Sequence, residues 1–514
     1  MTDGTPPQET QADRERVVRD RLDKVDALRA RGVEPYAYSY DPTHGAADAL
    51  ALFAEAGEGE GAEEIAVRLA GRVVSKRDMG KSTFAHLADR TGRIQLYFRV
   101  NQLGDAYGLL DLVDLGDWLG AAGVLFRTRT GEVSLRVDEL TLLAKSLRPL
   151  PLGKEETDAA TGERIVHSGF TDVEARYRQR YADLAVNPAV RDVFVLRAKA
   201  VTALRRFLDD RGFVEVETPV LQPLYGGALA RPFTTHHNAL DTRMYLRIAD
   251  ELYLKRLIVG GMERVYEISK DFRNEGLSRF HNPEFTMLEF YAAYFDYRDV
   301  MRLTEEMLHA VAVAVAGGPQ VVREGQTIDF TPPFAEYTMY QALREIGGVD
   351  VEAGGEDALR EKVRGLGVSA AEVATMGRGK LIDELFGALV EPRLIQPTFI
   401  TDYPREMSPL AKPKRGDAEL TERFELIVAG KELCNAYSEL NDPIDQRSRF
   451  EAQARYAAAG DEETQPVDED FLRAMEYGMP PTGGFGMGID RLVMVLTGQP
   501  SIRDVILFPV MRPE

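Results

Sequence analysis

The sequence contains a single cysteine, Cys434, which excludes an intramolecular disulfide and any cysteine-rich zinc site. That scarcity fits a reducing compartment, and a cytoplasmic location is the expectation. No stretch approaches the roughly 18 apolar residues of a spanning helix. The run from Met1 to Gln11 is polar and lacks the apolar segment of a secretory signal, so neither anchor nor leader is expected. No repeat of fixed period is visible. Positive charge is in short supply: 63 Lys and Arg stand against 83 Asp and Glu, a net charge of −20, which would repel nucleic acid unless a basic patch is gathered locally. What is present is ordinary for a folded soluble protein. Hydrophobic residues are 44%, charged 28% and aromatic 9%, values that exclude disordered, collagen-like and membrane compositions, and 514 residues suffice for two or three domains.

Residues 1–12 read as a disordered tail. From Asp13 the spacing of Val17, Val18, Leu22, Val25 and Leu28 predicts an exposed amphipathic helix that Gly32 and Pro35 stop, within an N-terminal region of residues 1–61. The Ala, Gly and Glu-rich stretch 47–63 carries no chemical signal. Over residues 62–147 short apolar runs alternate with Gly-bearing turns, which predicts five strands and a small β-barrel of the OB-fold kind. Between Arg72 and Arg99 seven basic residues face two acidic ones, a local +5, with Phe84, His86, Gln95 and Tyr97 among them. Such a surface could stack single-stranded bases and hold their phosphates. The same composition also describes a barrel whose rings fill the interior and whose cations form a solvated face. Residues 148–185 read as an interdomain linker. A helix then runs to about Arg211, with Asn187 placed to cap it, Pro188 at its first position and Gly212 at its end. Beyond it, antiparallel hairpin signals outnumber βαβ signals, giving an α+β domain over 186–514 with a helical insertion within about 320–400.

Three segments carry chemistry. Arg264 to Tyr294 predicts two strands around a loop at about Gly276–Phe280; alternation puts Arg273 with Glu275, and His281, Phe285, Glu289 and Tyr291 on one face if the return strand is unbroken. That face is either a functional floor or a structural ion-pair network. Arg423 to Leu440 predicts a hairpin turning near Gly430 that gathers Glu425, Glu432, Asn435 and Glu439. Paired carboxylates without Cys or His suit Mg²⁺ bound beside phosphates, although a solvated acidic hairpin has the same pattern. Strict alternation sets Glu432 opposite Asn435 and Glu439, so a shared site requires a β-bulge between them. Gly483 to Arg491 is a Gly-rich strand leading into an apolar helix, open either to a flat ligand or to a simple turn, and is neither a Walker loop nor a dinucleotide fingerprint.

Taken together, FLDDRGFVEVETPVL (Phe207–Leu221), FRNEG with HNPEF (Phe272–Phe285) and GGFGMGIDRL (Gly483–Leu492) resemble the three motifs of class II aminoacyl-tRNA synthetases. GGALARPF, MYLRIADELYLKRL, HNPEFTMLEFY and NAYSELNDP narrow the resemblance to the lysyl-tRNA synthetase family of bacterial type, over about residues 62–512. The resemblance implies an N-terminal OB-fold anticodon-binding domain followed by a catalytic domain built on an antiparallel sheet flanked by helices. It implies ATP, L-lysine and tRNA(Lys) as substrates, Mg²⁺ as cofactor, a homodimer through Phe207–Leu221, and no membrane or DNA partner. By similarity Arg273 and Arg491 are catalytic, and ATP is held by Arg273, Glu275, His281, Asn282, Phe285, Glu425 and Arg491. Glu425 and Glu432 match the magnesium ligands. Lysine falls to Gly227, Glu251, Glu289, Tyr291, Asn435 and Glu439, and the anticodon to Arg77, Phe84, Gln95 and Glu132. Two features depart from the family: Phe280 precedes His281, with the basic residue one place earlier at Arg279, and the connection from Leu152 to Phe170 is long. The rivals are an aspartate or asparagine enzyme, which needs a basic pocket, and a non-catalytic tRNA-binding paralogue.

Overall fold

The computed structural model describes residues 11–57, 65–157, 164–167, 169–228, 230–458 and 466–513. The chain divides into two compact units, Met1–Arg176 with Tyr181–Asn187, and Tyr177–Arg180 with Pro188–Glu514.

The first unit opens with α1 (Gln11–Ala30) and α2 (Ala46–Ala56). Of the expected tail, residues 1–12, the first ten lie outside the described residues, and Gln11 and Ala12 begin α1. Helix α1 is docked rather than exposed: Val25 and Leu28 are buried, and Arg21 donates to the carbonyls of Ser146 and Leu115. The stretch that looked featureless folds as α2, because Ala49 and Phe53 supply an apolar stripe that joins the barrel core. Five strands follow: β1 (Ala66–Met79), β2 (Ser82–Ala88), β3 (Arg93–Arg99), β4 (Trp118–Arg127) and β5 (Val133–Ala144). They close a barrel in the order β1-β2-β3-β5-β4, with β3 and β5 parallel and the other pairs antiparallel. Alternation sends Thr83, Ala85, Leu87, Ile94, Leu96 and Phe98 inward, so Phe84 and Tyr97 do not fill the interior. The stretch read as a linker contains a hairpin, Lys154–Thr157 with Arg164–His167, and two short helices.

In the second unit α3 (Pro188–Asp209) begins at Pro188 as the sequence predicts, and Gly212, at φ +77°, follows its end. Asn187 makes a different bond from the expected cap: its amide donates to Asp183 in the preceding helix. The unit is organised by an eight-stranded sheet. Its strands are β6 (Val214–Glu215), β7 (Arg264–Phe272), β8 (Glu284–Ala293), β9 (Ala335–Thr338), β10 (Thr398–Thr401), β11 (Arg423–Val428), β12 (Lys431–Ser438) and β13 (Thr482–Gly488), in the order β9-β10-β11-β12-β13-β8-β7-β6. The six central strands are antiparallel, and only the pairs at the two edges are parallel. One face packs on α3, on the helix Tyr297–Ala316 and on the helix Ile489–Thr497 through Tyr266, Leu288, Phe290, Phe424, Phe485 and Met487. Phe290 and Phe485 stack with centroids 4.6 Å apart. Within 320–400 lie four helices around a core of their own, including Leu343, Leu359, Val363, Leu381 and Leu385.

Because the apolar face takes alternate residues, the opposite face inherits the others. Phe285, Glu289 and Tyr291 lie there on β8, Arg423 and Glu425 on β11, Asn435 and Tyr437 on β12, and Gly484, Gly486 and Gly488 on β13. The register sets Glu289, Gly486, Asn435 and Glu425 in one lateral row, and Tyr291, Gly484, Tyr437 and Arg423 in the next.

Candidate active site and nucleic-acid surface

Over this face opens a cavity of about 390 Å³. Gly227, Glu251, Arg273, Glu275, His281, Asn282, Phe285, Glu289, Tyr291, Glu432, Asn435, Glu439 and Arg491 all line it, so the structure brings together nearly every candidate of the three segments. Glu425 is the exception. It sits behind Arg423, which donates to its Oε1 at 2.6 Å. The bulge that a shared site requires is present: Leu426 pairs with Cys434 but Ile427 pairs with Glu432, leaving Leu433 as the extra residue and turning Glu432 toward the face of Asn435.

One end of the cavity is acidic and buried. Glu251, the first residue of the helix Glu251–Val259, and Glu439 both contact the ammonium of Lys255, and the Tyr437 hydroxyl donates to Glu251 Oε2 at 2.8 Å. Among the described residues Glu439 Oε1 has no hydrogen-bond partner. Tyr291 donates to Glu289 Oε2 at 3.1 Å. Beneath them Asp250, Glu267 and Asp271 share the guanidinium of Arg247, and oxygens of Asp250, Asp271 and Glu289 lie within 4.8 Å of one another. Burial and this crowding push the carboxyls of Asp250 and Glu289 well up, and that of Asp271 up to about 6. Carboxylates outnumber cations here, so the site favours a ligand that brings positive charge. Glycine is required where this wall meets β13: a Cβ at Gly484 would stand 1.8 Å from Glu439 Oε1. Gly227 has φ +89°, and a Cβ there would stand 3.1 Å from the Cβ atoms of Ala249 and Glu251.

The other end is cationic. The Arg273 guanidinium lies 5.1 Å from the Phe285 ring centroid, and its buried Nε has no hydrogen-bond partner among the described residues. Arg491 donates to the Glu432 carbonyl at 2.8 Å and reaches Glu432 Oε2 at 3.2 Å. Its other nitrogen lies 3.4 Å from His281 Nε2, and burial together with Arg491, Arg273 and Lys431 lowers the His281 pKa. Strand β8 begins only at Glu284, so the loop rather than the strand positions His281, through Ser278 at 2.8 Å. Asn282 is engaged with backbone at both ends, donating to the Glu284 carbonyl and accepting from the Val510 amide, so it shapes the loop. Glu275 is exposed at the rim. Phe280 lines the cavity below the Lys431 ammonium, whereas Arg279 turns to the Pro500 carbonyl. Between the two ends Arg423 donates to Asn435 Oδ1 at 2.9 Å, which orients the Asn435 amide. Burial and the neighbouring charge of Glu432 push the Glu425 carboxyl up to about 7. Two adjoining carboxylates with oxygen donors only are the set a hard divalent cation takes.

The barrel unit carries a second surface. Phe84 stacks on Tyr97 with centroids 4.7 Å apart, Phe126 lies 5.6 Å beyond, and exposed Arg77 pairs opposite Phe84 across β1 and β2. Beside these rings Glu132 accepts from Gln95 at 2.8 Å and contacts His86 Nε2 at 3.0 Å, while Ser134 donates to Gln95 Oε1 and Ser75 bonds His86 Nδ1. All four residues expected to read bases therefore share the outer face. Part of the +5 is occupied: Arg72 and Lys76 donate to the carbonyls of Gly116 and Leu110.

Sequence reasoning missed Arg423 and Tyr437 in the cavity and Lys255 and Arg247 behind its wall, and left Phe126 out of the ring cluster on the barrel. Alternation with Glu425 and Asn435 could have found Arg423 and Tyr437. Nothing local distinguishes Lys255 from any helical lysine paired at i,i+4.

Residues 172–512 match the family model of the class II tRNA synthetases (D, K and N), and residues 67–143 match that of the OB-fold nucleic acid binding domain. The chain is similar to the lysine–tRNA ligase of Moorella thermoacetica, at 54% identity over 96% of this chain and 97% of that protein. It is 51% identical to the lysine–tRNA ligase of Carboxydothermus hydrogenoformans over 97% of this chain and 98% of the other, and 52% identical to that of Porphyromonas gingivalis over 96% and 85%. The chain belongs to the class II tRNA synthetases and, within them, to the lysine–tRNA ligase family. Among the described residues no helix is long and apolar enough to cross a membrane.

Proposed function

We propose that this protein activates L-lysine with ATP and transfers the lysyl group to tRNA(Lys), with the cavity of the second unit as the active site. The observation that carries this reading is Glu439: a buried carboxylate with one oxygen unpartnered, in a wall where acids outnumber bases, at the far end of a cavity whose other end holds Arg273 and Arg491. A zwitterion with an alkylammonium side chain and a polyphosphate fit those two ends. An aspartate or asparagine pocket needs a free cation, and the ammonium nearest the acidic wall, Lys255, already faces two carboxylates.

In this reading Glu439 and Tyr291 take the ε-ammonium, Glu289 completes that wall, and Glu251 and Gly227 take the α-ammonium. Asn435, its oxygen committed to Arg423, offers its N–H groups to the substrate carboxylate. Adenine lies between Phe285 and Arg491, with Glu275 on its amino group and His281 and Asn282 closing the loop over ATP. A lysine carboxylate oxygen attacks the α-phosphorus and pyrophosphate leaves in line; Arg273 holds the two reacting anions together, so the protein supplies positioning and positive charge rather than a nucleophile. The terminal ribose hydroxyl of the tRNA then attacks the adenylate carbonyl and AMP leaves. Glu425 and Glu432 would hold Mg²⁺, which when bound offsets the phosphate charge.

The barrel reads the anticodon, Phe84 stacking on a splayed base and Arg77, Gln95 and Glu132 bonding base edges. The boundaries at 61, 147 and 185 and the insertion within 320–400 are retained as the domain plan. A homodimer is supported by exposed apolar side chains in Phe207–Leu221, where Val214, Val220 and Leu221 are 50%, 39% and 48% exposed. The single, free Cys434 fits a reducing, cytoplasmic location.

The test is aminoacylation: purified protein with ATP and Mg²⁺ is expected to carry labelled lysine, and neither aspartate nor asparagine, onto tRNA(Lys). Charging by aspartate or asparagine, or none at all, would overturn the reading.

A further inference from the structure

Lys255 is fully buried, lies outside the cavity lining, and takes no part in the mechanism above. Its ammonium reaches Glu251 Oε1 at 2.5 Å and contacts Glu439 Oε2, so two carboxylates that line the cavity are tied to one cation behind its wall. The second oxygen of Glu251 is taken by Tyr437, whereas Glu439 Oε1 stays unpartnered above Gly484. We propose that Lys255 is a positioning residue for substrate recognition: it ties down Glu439 Oε2 and offsets Glu251, leaving Glu439 Oε1 as the single charged acceptor turned to the incoming alkylammonium.

The physical argument is charge balance in a dry place. Two carboxylates meeting at one point repel strongly when buried, and without a cation one of them takes up a proton. A protonated Glu439 offers the substrate a neutral group in place of a charge. Among the described residues the other titratable groups facing this pair are Glu289 and Tyr291 on β8 and Tyr437 on β12, and none of them is a cation. Burial and Glu251 hold the Glu439 carboxyl well above the ordinary carboxylate range, and Lys255 is the group that opposes that rise. Burial alone would lower the Lys255 pKa, but Glu251 and Glu439 hold it above the ordinary lysine value.

This inference rests on the lysine reading of the cavity, and the experiment separates the two. Lysine-dependent ATP–pyrophosphate exchange is measured between pH 6 and 9 for the wild type, Lys255→Met, Lys255→Arg and the double variant Lys255→Met/Glu251→Gln, with melting temperatures alongside. Absence of lysine-dependent exchange in the wild type would overturn the function itself, whatever the variants do. Given exchange, Lys255→Met is expected to raise the lysine KM at least 10-fold at pH 7 with the ATP KM within twofold. The pH midpoint of the lysine KM is expected to rise by at least one unit in Lys255→Met. The midpoint should return toward the wild-type value in Lys255→Arg, which keeps the cation, and in the double variant, which removes the competing carboxylate but also the α-ammonium contact, so that its lysine KM stays raised at every pH. The proposal is overturned if the midpoint does not move in Lys255→Met. It is equally overturned if lysine and ATP KM rise together with the melting temperature reduced. Should Lys255→Met fail to fold, the double variant decides, since a midpoint shifted as far from wild type as one unit contradicts the charge-balance argument.

Discussion

The outer face of the barrel and the open face of the large sheet both present polar and aromatic side chains at alternate strand positions, but they differ in how those groups are satisfied. On the barrel, Ser75, His86, Glu132, Gln95 and Ser134 bond one another in a chain, and the rings of Phe84 and Tyr97 remain half exposed. A ligand there exchanges one set of hydrogen bonds for another and gains mainly by stacking. On the sheet, carboxylates are buried in excess of the cations that face them, so a matching ammonium relieves repulsion as it binds. The lesson is that similar strand patterns can serve graded base reading on one surface and steep charge selection on another, depending on burial.

Three measurements test that contrast. The largest effect is expected from Glu439→Gln, which keeps the shape but removes the charge proposed to face the ε-ammonium. The lysine KM should rise about 100-fold, equivalent to about 3 kcal/mol, with the ATP KM within twofold. Parallel rises in both would erase the distinction between the acidic and cationic ends. A smaller effect is expected from Phe84→Ala on the barrel: the KM for tRNA should rise roughly 10-fold, the cost of about one lost base stack, while activation without tRNA changes less than twofold. An unchanged tRNA KM would take the stacked rings out of the anticodon surface. The smallest concerns the floor beneath the acidic wall, where burial raises the Asp271 carboxyl from 3.8 to about 6. The folded protein then keeps a proton that the unfolded chain releases, so this contribution is complete below about pH 4 and is lost as pH rises through about 6. Asp271→Asn should flatten the fall in melting temperature between pH 4 and 6 by a few degrees, and an unchanged slope would show that Asp271 titrates normally.

Much of this arrangement is legible in the sequence because strand alternation is rigid. It separates Phe290 and Phe485 in the core from Glu289 and Gly484 at the cavity, and it demands the bulge found at Leu433. Tertiary partners are harder to see. Lys255 reads as a surface helical cation until the distant Glu439 is brought beside it, and α2 reads as filler until Ala49 and Phe53 meet the barrel core. His281 looked like a strand residue because alternation was carried three positions too far, into a loop that Ser278 holds. Asn282, which the motif marks for ATP, lines the cavity with its side chain tied to the backbone at Glu284 and Val510, a tie that no spacing in the motif reveals.

The central claim is that the cavity selects an amino acid by the charge of its side chain, and the most direct measurement is ATP–pyrophosphate exchange with each of the twenty amino acids, without tRNA and with Mg²⁺. The account predicts exchange with lysine alone. Exchange with aspartate or asparagine in its place would contradict the acidic wall, and exchange with neutral side chains at comparable rates would contradict selection by charge.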